Sequence, residues 1–152
     1  MSVMGERAEV IRARVEGAWL PFRAAAAGRL EEPTAAGWTA KEMVAHVAFW
    51  DEAVVPFVVT VFRGQQLPPG WTFGSGDLGL PDGVWPAADV HNAREAAWAR
   101  ARTAVEVMER ADRAHAGLDE LLATLTDDEV VAHLDYFERL GSHYSEHLEE
   151  LA

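Results

Sequence analysis

The sequence predicts an all-α protein, a four-helix bundle, on three observations. Apolar residues recur three and four positions apart over most of the 152 residues, the spacing of one helix face. Thr39-Ala-Lys-Glu42 and Thr126-Asp-Asp-Glu129 read as capping boxes and mark helix starts. Six of the 12 glycines and four of the seven prolines fall between Gly64 and Pro86, which no helix survives. No β-type alternation of useful length interrupts this pattern.

Helix one is expected over 4–30, with Val10, Ile11, Val15, Ala18, Trp19 and Phe22 on its apolar face. Pro21 should kink or split it. Glu31, Glu32 and Pro33 end it. Helix two starts at the Thr39 cap and carries Val44, Val47, Val54, Val58 and Val61. Pro56 removes one backbone donor and should bend it near Glu52. Arg63-Gly64 closes it. The segment 64–86 is then a long crossover loop holding Trp71, Phe73 and Trp85.

Helix three is expected from about 87–90 to Leu125, with Trp98, Val105, Met108, His115, Leu118 and Leu122 in register. Thr103 followed by Glu106 permits a second start and a kink near Arg102. Helix four follows Thr126 and carries Val130, Leu134, Phe137, Leu140, Tyr144, Leu148 and Leu151. Four amphipathic helices with one long crossover make a bundle pattern and a single domain over 1–152.

Composition narrows the function classes. The formal charge of −12 disfavours nucleic acid as a partner. No stretch of about 18 uncharged apolar residues suggests a membrane span. The charged N-terminus, with Glu6, Arg7, Glu9, Arg12 and Arg14, does not read as a signal peptide, so a cytoplasmic protein is expected. Zero cysteines exclude disulfides, thiolate metal ligands and an intrinsic cysteine nucleophile.

The histidines carry the remaining chemistry. His143 and His147 lie four apart, so both rings share one helix face, one turn apart. They continue a stripe with Tyr136, Leu140 and Leu151, which turns them towards the core or its open end. His46 sits likewise among Met43, Val47, Trp50 and Val54. Bundle cores build metal sites from inward side chains on facing helices, and three histidines would leave open positions on the ion. The plainer alternative for each is a hydrogen-bonded packing histidine. His91, His115 and His133 read as structural or solvent-facing, with His115 on a core stripe. The letters His143-Tyr-Ser-Glu146-His147 also fit the H-x-x-E-H pattern of inverted zinc peptidases, without that scaffold's downstream ligand.

Gly37-Trp38-Thr39-Ala40-Lys41-Glu42-Met43-Val44-Ala45-His46, followed by Trp50, resembles the signature that opens helix two of DinB/YfiT-like proteins. His143-Tyr144-Ser145-Glu146-His147 resembles the HYxEH signature of their last helix, especially in the ClbS/DfsB branch. The resemblance spans nearly the whole chain. It implies an up-down-down-up four-helix bundle, commonly a homodimer, with a divalent ion such as zinc or nickel held by three histidines. On this chain those positions are His46, His143 and His147.

The resemblance also implies a thiol-dependent S-transferase or isomerase that takes a low-molecular-weight thiol as cosubstrate, in detoxification or self-protection. Trp50, Asn92 and Tyr144 are candidate pocket residues for a small-molecule substrate, against the alternatives of core packing for the two aromatics and helix capping for Asn92. Two other functions stay open: a metal-dependent hydrolase, and a bundle that sequesters a toxic small molecule without chemistry.

Overall fold

The computed structural model describes residues 5–67, 74 and 87–151, and all regular structure among them is helical. Helix α1 spans Glu6–Ala27 and buries Ala8, Ile11, Val15, Trp19, Phe22 and Ala26, the predicted three/four stripe. Pro21 does not split it. The carbonyl that Pro21 leaves without a donor belongs to Gly17, on the exposed face, where water can satisfy it. Asp127 helps to cap the start of α1 from across the molecule, its carboxylate accepting from the Arg7 N–H at 2.9 Å. Gly5 permits this approach, since a Cβ there would stand 2.2 Å from Asp127 Oδ1.

Helix α2 spans Ala40–Phe57, and the Thr39 hydroxyl accepts from the Glu42 N–H as expected. Only half of the anticipated box forms. The Glu42 carboxylate instead meets the Thr39 hydroxyl at 3.1 Å and the Arg100 guanidinium at 3.1 Å. α2 is buried nearly all round, because α3, α4, α7 and α1 all pack on it. By length and composition Ala40–Phe62 could cross a membrane, yet it is mostly covered by the rest of the fold, as a core helix is. The irregularity attributable to Pro56 lies after it: the chain widens into a π-helical turn over Val58–Phe62, where the Arg63 N–H reaches back five residues to the Val58 carbonyl. The Thr60 hydroxyl takes up the Pro56 carbonyl at 2.7 Å.

Most of the expected crossover lies outside the described residues, including Trp71, Phe73 and Trp85. The third expected helix is two: α3 (Ala88–Arg100) and α4 (Ala104–Leu122). The kink anticipated near Arg102 is a full break, and α4 starts on a complete Thr103–Glu106 capping box. The fourth expected helix is three segments: α5 (Asp127–Ala132), α6 (Leu134–Arg139) and α7 (Ser142–Leu151). His133 leaves helical geometry at φ −133°, ψ 41°, with its ring stacked 3.6 Å from Phe62. Gly141 then takes φ +91°, a left-handed turn that glycine tolerates best, and re-aims the chain into α7.

The core runs between these layers. α2 packs on α4 and α3 on one side, and α7 packs mainly on α1. Two bidentate pairs, Arg12–Asp119 at 2.6 and 2.8 Å and Arg23–Asp112 at 2.7 and 2.9 Å, fasten α1 to α4. Both are substantially exposed, so they fix geometry more than they add stability.

Candidate metal centre

α2 and α7 bring three imidazoles together. His46 faces His143 with their Nε2 atoms 3.0 Å apart, and His147 Nε2 stands 2.9 Å from the same His143 nitrogen. One ligand atom from each lies within 4.8 Å of the others. The i, i+4 spacing brings the two α7 rings edge to face, with centroids 4.5 Å apart and planes 69° apart, and His46 meets both edge-on. His46 is buried and the α7 pair is half-buried.

The outer nitrogens decide the tautomers. His46 Nδ1 is 2.9 Å from Asn92 Oδ1, and the Trp50 indole N–H donates to that same oxygen at 3.2 Å. An indole N–H can only donate, so the Asn92 atom facing both groups is its carbonyl oxygen. His46 therefore carries its proton on Nδ1 and turns an Nε2 lone pair inward. On the other side Glu150 Oε2 accepts from His147 Nδ1 at 2.9 Å, with the same consequence. Two lone pairs thus converge on the His143 nitrogen, which has at most one proton to give. A divalent cation could be held at that convergence, since three imidazole nitrogens form a donor set that binds such ions.

Protonation of His46 or His143 does not resolve it near neutral pH. Burial, reinforced by its neighbour His147, pushes His46 down to about 4. Burial with the same kind of neighbour repulsion pushes His143 down to about 3. Both rings are neutral over the physiological range.

Trp38, one residue before the α2 cap, stands edge-on to His46 at 5.0 Å and 6.4 Å from His147. It forms an aromatic wall of the site that periodicity did not single out. Trp50 and Asn92 lie beside His46 as described; Asn92 orients a ring instead of capping α3. Tyr144 turns away into the core, its ring packed at 5.2 Å from Trp19 and 5.8 Å from Phe22. Its hydroxyl is hydrogen-bonded to Asp51 and, at 2.9 Å, to His115 Nδ1. Glu146, the glutamate of the peptidase-like pattern, is exposed, and Glu150 is the carboxylate that bonds to a site histidine, His147.

A family model described as the DinB superfamily matches residues 9–151. No curated protein and no solved structure matches the chain.

Proposed function

We propose, from the premise that this chain belongs to the DinB superfamily, that it is a metal-dependent thiol S-transferase acting on a small electrophile. In this reading the helices form an up-down-down-up four-helix bundle of the ClbS/DfsB branch, working as a homodimer. The observation that carries it is the convergence of imidazole lone pairs on one point, with Asn92 and Glu150 holding the outer protons away.

His46, His143 and His147 are the residues that would hold the ion, zinc or nickel. A divalent ion held by three neutral imidazoles would keep its full charge, and the chemistry it would supply is a lowered pKa for an incoming thiol. The chain's own part is to bind and orient. Asn92 and Glu150 fix the ring tautomers, while Trp38 and Trp50 offer flat apolar surface beside the site. The sulfur then forms a bond to the electrophilic atom, its proton passes to solvent, and any displaced group leaves with the bonding pair. The absence of cysteine supports an imported thiol.

The test is elemental analysis of the purified protein beside a His143→Ala, His147→Ala double variant. Stoichiometric metal that the variant lacks supports the reading. Native protein that is metal-free and cannot be reconstituted overturns it. Turnover of an activated aryl halide with and without added thiol checks the reaction. Turnover that needs no thiol would indicate a hydrolase instead.

A further inference from the structure

Tyr144 lies between the two α7 histidines in sequence, yet its side chain belongs to a different cluster. It is 1% exposed. Its hydroxyl sits where three other elements meet: Asp51 from α2 and His115 from α4 both bond to it, and His115 passes the chain on to Glu16 of α1, 2.6 Å from its Nε2. Trp19 of α1 stacks on the His115 ring at 4.5 Å and 12° and holds it in place. Asp51 is buried, at 7% exposure. Burial pushes it up to about 8, so at neutral pH it is a neutral carboxylic acid in the core.

The placement matters because α7 is weakly tethered to α2. It is 10 residues long and follows the Gly141 turn. It packs mainly on α1, with few contacts to α2. Yet the three-histidine site spans α2 and α7. Apart from the His46–His143 pair, the Tyr144–Asp51 bond is the one side-chain hydrogen bond joining these two helices among the described residues.

We infer that Tyr144 is a positioning residue, and that its hydroxyl, clamped by Asp51 and His115, sets the separation of α7 from α2 and so of His143 and His147 from His46. This rests on reading those histidines as a metal centre. A phenylalanine at 144 keeps the ring packing and removes only the clamp. An asparagine at 51 preserves shape, neutrality and a hydrogen-bond partner for the hydroxyl; a leucine there does not.

The experiment titrates the full chain with cobalt(II), reading affinity by competition with a chelating dye and geometry from the visible ligand-field bands. The wild type binds one ion. Tyr144→Phe and Asp51→Leu each bind about tenfold more weakly or worse, with displaced bands, whereas Asp51→Asn stays within roughly threefold of the wild type, since such supporting residues typically change affinity 10–100-fold. Wild-type affinity and bands in Tyr144→Phe and Asp51→Leu overturn the inference and leave the metal reading standing. A wild type that binds no cobalt overturns the metal reading and this inference with it. Should Tyr144→Phe fail to fold, the Asp51 pair decides: equal binding by Asp51→Asn and Asp51→Leu overturns the clamp.

Discussion

Asn92 fixes His46 because it is itself fixed. The indole of Trp50 and the Nδ1–H of His46 share its carbonyl oxygen, so the amide cannot flip without losing both bonds. Asn92→Leu should leave the fold intact and lower metal affinity about 10–100-fold, read by competition with a chelator, because the His46 ring is then free to turn. Wild-type affinity in that variant would show that packing alone orients the ring. At this scale the sequence was legible in part. His46, His143 and His147 could be picked out because helical spacing puts them on inward faces. Asp51, Glu150 and the true place of Tyr144 could not. Each acts through a partner whose position depends on tertiary packing or on a rotamer, and neither leaves a trace in periodicity.

Among the elements, the helix breaks were the least legible. Apolar spacing runs on across Ala101–Arg102, His133 and Leu140–Gly141, because the segments on either side stay packed against the same core. Thr103 announced its start through capping chemistry, and that start is real. His133 carries no such signal; its departure from helix accompanies the stack on Phe62. Gly141 is the joint on which α7 turns. A Cβ there would stand 3.3 Å from Val15 Cα, at a φ of +91°. Gly141→Ala should therefore cost about 1 kcal/mol or more in urea unfolding. Gly28→Ala, where a Cβ meets nothing within 4 Å and φ is −96°, should stay within about 0.5 kcal/mol of the wild type.

For the whole molecule, two opposed titrations shape stability. His46 and His143 are held at about 4 and 3 in the folded protein, below the ordinary 6.5. Without metal, unfolding therefore takes up protons below pH 6.5, and stability drops as pH falls from there towards 4. Asp51 works in the other direction. Its folded value of about 8 lies above the ordinary 3.8, so folding takes up a proton between those limits and stability declines as pH rises towards 8. Urea unfolding of metal-free wild type and Asp51→Asn isolates the second effect. The wild type should lose more than about 1 kcal/mol relative to the variant between pH 5 and pH 8, and little more above that. A difference that does not change with pH would mean that Asp51 is ionised throughout. The helical class was readable at this scale because amphipathic spacing repeats along the chain. The all-round burial of α2 was not, since it follows from how many neighbours the helix acquires.

The bond between the Arg7 N–H and Asp127 joins residues 120 apart. Gly5 adds a second tie of similar span, donating to the Leu125 carbonyl at 3.3 Å. The opening turn of α1 is thus completed by a segment 120 residues further along the chain. Closing so long a loop costs entropy before any contact rewards it, which places this step late in folding. The amide of Arg7 would then report when the chain has finished folding, protected from exchange only after α5 has docked.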